Sequence, residues 1–431
     1  MCFGNVPKDL CLTSLATNRS TASKSVNGLF SADLRTVGAL LQYQRSPDVW
    51  VTAESLTVPA TPFGSVYTLQ SAPPVSPSNI ALSYDAGILA VGLFASNYGD
   101  SLMEIWTQNG GQYAPTAALI PPPGSIIAPA TWGTVSLNDA GTILALGIQD
   151  DNANIGAAYM YAFDGTNWTL QGSKITGFNE IGPGKFGASV SLNGAGNLLA
   201  VGCPQEGATN NGAVYIYNLN VLTAPVLVTK IVGIVISAEF GTVVKFSADG
   251  STLAVGAPSY QTDVTSGSVF IYTKVLGIWT QQATFQALNS YVSNYFGSHV
   301  SLSGDGNSLA VSLVDTITMY YRTPGYVGQS AWSTGVLLPY PYDLVIYSWY
   351  SGLFVNLSQD GNTLCASSPD NNQGTGASWS YTKGPLGTWT QNGPRFVGTG
   401  NAGMNQYCDA ISGDGKVAAV IDSANEFWTF V

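Results

Sequence analysis

The residues able to do chemistry are few. The chain of 431 residues contains one histidine, His299. Histidine-based zinc ligation and Ser-His-Asp chemistry draw on imidazoles set among partner residues, and a single ring gives little to build either from. His299 falls within the apolar segment Phe296–Ser312, so a packed or channel-lining ring is expected rather than a general base. The five cysteines (Cys2, Cys11, Cys203, Cys365 and Cys408) show no metal-ligand spacing and no disulfide framework. Cys203, Cys365 and Cys408 read as small buried hydrophobes in strands. There is no Gly-x-Ser-x-Gly elbow and no Cys-x-x-Cys pair. The reading is of a chain that is not an enzyme, with no catalytic residue, cofactor or metal.

Two further patterns were weighed. Ser83-Tyr84-Asp85-Ala86-Gly87 opens like the Asp-box turn of sialidases, but Ala90 stands where that motif needs tryptophan. Those sites also grip a carboxylate with several arginines, and Arg322 is the only arginine between Arg45 and Arg395. Recognition asks less than catalysis. Tyr291 and Tyr295, then Tyr340, Tyr342, Tyr347, Trp349 and Tyr350, occupy two loops expected to be spatial neighbours. A notch walled by such rings suits a protein hot spot or sugar stacking, and these seven residues are the candidate partner site.

The elements that must position these residues recur. Phe240–Pro258 reads as an apolar strand, an Asp249-Gly250 turn and a second apolar strand closed by proline. Similar stretches align on Gly87, Gly141, Gly196, Gly250, Gly306, Gly361 and Gly415, with gaps of 54, 55, 54, 56, 55 and 54 residues. Third strands follow at Gly156–Tyr161, Gly212–Tyr217, Gly267–Tyr272 and Gly376–Tyr381. Fourth strands open on Trp168, Trp279 and Trp389. Four short strands per period predict an all-β, seven-bladed β-propeller of four-stranded blades over residues 63–431. The last copy lacks a fourth strand, and Tyr67-Thr68-Leu69-Gln70 matches the missing piece. Residues 64–71 are therefore expected to pair with the C-terminal strand and close the ring.

Composition agrees. Hydrophobic residues make up 45% of the chain and charged residues only 9%, with Gly, Ser, Thr and Asn in their place, which suits turn-rich β structure. A net charge of -11 without a basic cluster argues against nucleic acid. No apolar run reaches spanning length, and residues 1–10 lack the basic-then-apolar pattern of a secretory signal. The acidic loops at 149–154, 205–211 and 369–373 read as solvated.

Phe186-Gly187, Phe240-Gly241 and Phe296-Gly297, together with Val201-Gly202-Cys203-Pro204 and Val255-Gly256-Ala257-Pro258, resemble the FG-GAP repeats of integrin α-subunit-like propellers. The resemblance implies a ligand face built from the loops joining strand two to three and strand four to the next strand one. Some of those propellers hold Ca²⁺ through several carboxylates in the first turn. Here Asp249, Asp305, Asp360 and Asp414 stand alone in their turns, so each aspartate is expected to cap its own turn.

Residues 1–62 lie outside the repeat as an irregular arm. Leu10–Lys24 reads as irregular, Ser31–Leu41 has helical spacing, and Val49-Trp50-Val51 looks extended. The arm is read equally as a flap or as a docking segment. The function expected is a non-enzymatic structural or adhesion propeller that binds protein partners in a virion or other exterior assembly, because an exterior-type composition comes without a signal or disulfides. The alternative is a carbohydrate-binding propeller at a cell surface.

Overall fold

The computed structural model describes residues 12–14, 41–46, 49–52, 66–68, 77–95, 103–109, 112–119, 131–235, 238–262, 265–287, 296–313, 316–325, 328–338, 353–368, 377–392, 409–421 and 427–430. Contacts divide the chain into two compact units, Met1–Thr61 and Pro62–Val431. In the first, β1 (Leu12–Ser14), β2 (Leu41–Ser46) and β3 (Val49–Thr52) form an antiparallel sheet in that order. The extended reading of Val49–Val51 corresponds to β3, while β1 lies in a stretch expected to be irregular. Residues 31–40, with their helical spacing, lie outside the described residues.

The second unit opens with β4 (Val66–Thr68). The first repeat supplies β5 (Pro77–Leu82), β6 (Ile88–Ala95), β7 (Met103–Asn109) and β8 (Gln112–Leu119). The second supplies β9 (Thr131–Leu137), β10 (Ile143–Ile148), β11 (Ala157–Phe163) and β12 (Trp168–Leu170). The third has β13 (Ser189–Leu192), β14 (Leu198–Cys203), β15 (Ala213–Asn218) and β16 (Val226–Val232). The fourth has β17 (Val243–Phe246), β18 (Thr252–Thr262), β19 (Thr265–Val275) and β20 (Ile278–Gln286). The fifth runs β21 (Val300–Leu302), β22 (Ser308–Ser312), β23 (Ile317–Tyr321) and β24 (Val336–Leu337). The sixth runs β25 (Phe354–Leu357), β26 (Thr363–Ser368), β27 (Ala377–Lys383) and β28 (Trp389–Gln391). The last has three strands of its own, β29 (Asp409–Ile411), β30 (Ala418–Ile421) and β31 (Phe427–Phe430).

These strands form a β-propeller of antiparallel sheets, but the sheets number six where seven were expected: five of four strands and one of eight. The reason lies in β6. It continues past Gly92, and Phe94 and Ala95 pair with Trp132 and Thr131 at the start of β9. The first two repeats thereby share one hydrogen-bonded sheet. Counted as sheets, the propeller has six blades, the first of double width and built from two repeats. The last sheet is completed from the other end of the unit. Trp428 pairs with Thr68 and Phe430 with Val66, so β4 is its outer strand.

One alignment is also corrected. Each turn between first and second strands bends through a left-handed residue at Gly141, Gly196, Gly250, Gly306, Gly361 or Gly415, and in the first repeat that residue is Ala86 (φ 58), not Gly87. The turn begins on Ser or Asn, whose side-chain oxygen accepts the N–H that opens the second strand. Ser247 Oγ accepts from Thr252 at 3.0 Å, and Asn193 Oδ1 from Leu198 at 2.9 Å. Where an aspartate follows, it caps the same turn: Asp249 accepts from the Ser247 hydroxyl at 2.5 Å and the Ser251 N–H at 2.9 Å. Asp85, Asp305, Asp360 and Asp414 repeat the arrangement.

The cores sit between neighbouring repeats rather than within them. One joins Ala158, Met160 and Ile175 of the second repeat to Phe186, Val201 and Tyr215 of the third. Another joins Leu89, Val91 and Trp106 of the first repeat to Ala410 and Ala419 of the last. Sheets covered on both sides bury every position of a central strand, which is why Leu198–Cys203 reads as a continuous apolar run. The Phe-Gly pairs serve this packing. Phe186 is fully buried with its ring edge-on to Tyr215 at 5.2 Å. Its neighbour Gly187 backs onto the preceding sheet so closely that a Cβ on Gly147 would lie 2.2 Å from the Gly187 carbonyl. Gly202 meets Gly241 and Gly256 meets Gly297 in the same way.

Candidate functional site

The first strands of all the repeats surround one central cavity of about 480 Å³. Its walls are stitched across repeats by side chains bonded to main chain. Asn79 Oδ1 accepts from Val135 N–H at 2.9 Å, and Ser136 Oγ accepts from Leu192 N–H at 3.0 Å. Ser191 accepts from Phe246 and Ser301 from Leu357, both at 3.0 Å. Thr134 and Ser189 donate to the carbonyls of Gly187 and Gly241, each at 2.9 Å.

At one end the cavity narrows into a ring of main-chain hydrogen bonds passing through every repeat. Tyr84 N–H donates to Asp139, Asp139 to Gly194 and Gly194 to Ala248; Asp249 donates to Gly304, Gly304 to Gln359, Gln359 to Gly413, and Gly413 back to Tyr84, at 2.7–3.2 Å. Large side chains and glycines are interleaved around it. A Cβ on Gly194 would meet Asp139 Oδ2 at 2.2 Å, and one on Gly413 would meet Tyr84 Cδ2 at 2.0 Å. Asp139 Oδ1 accepts from Gln359 Nε2 at 2.5 Å across this end.

His299 lines the cavity, and its ring packs against Phe354 with centroids 3.9 Å apart. Burial pushes its pKa down to about 4, so the ring is neutral at physiological pH. Lys245 lines the same cavity, and burial holds its ammonium below its ordinary range, with Asp139 acting in the opposite direction. Asn356, part of a glycosylation sequon, also faces the cavity from β25, where a glycan has no room.

The opposite face carries two residues that were expected to be solvated and are not. Asp151 is fully buried: the Tyr159 hydroxyl donates to its Oδ2 at 2.8 Å and Lys174 Nζ at 3.0 Å. Glu206 is 4% exposed, receives the Tyr215 hydroxyl at 2.7 Å and pairs with Lys230. The two triads are equivalent, since Ala158 bridges Ile175 as Val214 pairs with Ile231, setting Tyr159 beside Lys174 and Tyr215 beside Lys230. The repeat's signal is a third-strand tyrosine facing a fourth-strand lysine. In the fourth repeat that place holds Phe270 opposite Thr284. Beside Glu206, burial raises Glu180, and Cys203 donates its thiol to the Gly184 carbonyl at 3.2 Å. Burial also pushes the Cys203 thiol far above its ordinary range, leaving a packed, unreactive group, and Cys365 is likewise buried.

The aromatic candidates Tyr291, Tyr295, Tyr340, Tyr342, Tyr347, Trp349 and Tyr350 lie outside the described residues, as does Cys408. Among the described residues, no group of His, Cys, Asp and Glu has the geometry of a metal site, and no helix is long and apolar enough to cross a membrane.

No protein-family model matches the chain, and no curated protein matches it. Its fold is that of solved propellers. A chain of the crystal structure of a mitotic checkpoint complex superposes with a TM-score of 0.54 at 14% identity, covering 85% of this chain and 94% of that one. At that identity the likeness is one of fold, and it places the chain among the β-propellers.

Proposed function

We propose that this chain is a non-catalytic propeller scaffold that binds protein partners through its loops and through residues 1–62, as a structural or adhesion component of a virion or other exterior assembly. The observation that carries the reading is the closed network across repeats: a main-chain ring and inter-repeat side-chain stitches hold a rigid frame from which the loops project. The FG-GAP likeness is part of the same proposal. It is supported by the place of its Phe-Gly and Val-Gly elements, which sit where one repeat touches the next. The neutral, ring-packed His299 also fits a scaffold better than an acid–base centre. The solved chain of similar fold belongs to a multi-protein complex, which agrees with protein partners.

The test is to locate the chain in purified particles or surface assemblies and ask whether residues 1–62 are protected from protease there. Tyr342→Ala and Trp349→Ala are expected to weaken partner capture about tenfold or more each, as hot-spot aromatics do. Absence of the chain from such assemblies, or glycan-array binding lost in the same two variants, would overturn the structural reading.

A further inference from the structure

The cavity wall is not the same in every repeat. Two residues before the Ser or Asn that starts each turn, Ser136, Ser191 and Ser301 accept a main-chain N–H from the next repeat. The first, sixth and seventh repeats hold Ala81, Asn356 and Ala410 at that position, and the fourth holds Lys245. An ammonium only donates, so this position gives up the stitch. Lys245 makes no hydrogen bond or ion pair to a described residue. The opposing charge that acts on it, Asp139, is committed to Gln359 and to the ring at the narrow end.

The row above shows the same asymmetry. Asn79, Thr134 and Ser189 are small, polar and bonded to a neighbouring repeat. Val243, His299 and Phe354 continue that row with an apolar surface and two rings in contact. On this side of the cavity a partly buried ammonium stands beside a neutral aromatic platform, although Ser301 still holds the sixth repeat. A partly buried cation without a partner is unfavourable, and an anion that enters the cavity relieves this. The space, about 480 Å³, is of the size that takes a small organic molecule.

We propose that the channel binds a small organic carboxylate, its carboxylate paired with the Lys245 ammonium and a flat apolar body laid against His299 and Phe354.

Benzoate is the probe, and the intact protein is the sample. Benzoate is expected to raise the melting temperature where benzyl alcohol at equal concentration does not. Lys245→Met should weaken that response roughly tenfold to a hundredfold, the factor carried by one charge-assisted hydrogen bond. A second readout uses the wild type alone: benzoate should slow reductive methylation of Lys245, followed by mass spectrometry, while leaving the exposed Lys274 unchanged. If Lys245→Met fails to fold, this labelling and the wild-type melts decide. Equal responses to benzoate and benzyl alcohol, or an unprotected Lys245, would overturn the proposal.

Discussion

The N–H of Gly413 donates to the carbonyl of Tyr84 at 2.9 Å, joining the last repeat to the first through main chain alone. The Tyr84 ring lies over Gly413, where a Cβ would sit 2.0 Å from it and push the ring aside. The same junction is held twice more, by the pairing of β31 with β4 and by the core of Leu89, Trp106, Ala410 and Ala419. Three contacts of different kinds thus close the propeller.

Removing one of them should be felt throughout the unit. Deletion of residues 64–71 takes away β4 and leaves β31 as an unpaired edge. The melting temperature is expected to fall by about 10 °C or more, since a change of about 1 kcal/mol moves a large domain by a few degrees and a whole strand is worth several. The deleted protein should also aggregate through the open edge on light scattering. An unchanged calorimetric melt would remove β4 from the closure.

Close approach between sheets makes a second prediction. A methyl at Gly202 would lie 2.0 Å from the Gly241 carbonyl oxygen of the next repeat and 2.3 Å from Oγ of Ser189, its own cross-strand partner. Main chain cannot yield as a flexible side chain can. Gly202→Ala should destabilise the protein by about 3 kcal/mol or more, well beyond the effect of an exposed substitution. Denaturation by urea measures it; a loss below about 1 kcal/mol would mean that the sheets separate more easily than their packing implies.

The repeat was legible in the sequence because its turns obey a short chemical rule, Ser or Asn followed by a left-handed residue. Ala86 departs from the glycine part of the rule, which is why spacing alone points to Gly87, one residue late. The closing strand could be read from the likeness of Tyr67–Gln70 to Trp168–Gln171. Fusion of the first two repeats could not, since it depends on β6 running on to Phe94 and Ala95 rather than on any motif. The buried acids were hidden for a different reason. Asp151 and Glu206 stand in loops rich in Asn and Gly, and only the register of Tyr159 with Lys174 and Tyr215 with Lys230 draws them inward. That register is a three-dimensional fact spread over some twenty residues of loop and strand.

Those triads predict asymmetric costs. Lys230→Met leaves Glu206 buried beside Tyr215 without its counter-charge, and should destabilise by roughly 3–5 kcal/mol. The double variant Glu206→Gln with Lys230→Met removes both charges and should recover much of that loss. Tyr215→Phe, which copies the fourth repeat's Phe270, should cost about 1–3 kcal/mol while Glu206 remains charged and buried. Urea midpoints for the wild type, Lys230→Met, Glu206→Gln and the double variant form the cycle. Additive losses would show that the lysine and the carboxylate act independently.

His299 gives the pH dependence. Burial lowers its folded pKa to about 4 from the ordinary 6.5, so the folded protein resists a proton that the unfolded chain accepts. Stability from this group is therefore complete above pH 6.5, declines as pH falls from 6.5 towards 4, and changes no further below that. The loss by pH 5 should be on the order of 2 kcal/mol. The carboxylates titrate over the same range, so the comparison must be with His299→Gln, which keeps them and removes only the imidazole. Between pH 8 and pH 5 the wild type should lose more stability than the variant. Parallel pH profiles would mean that the imidazole takes its proton inside the folded channel, and that its contact with Phe354 does not exclude the charged form.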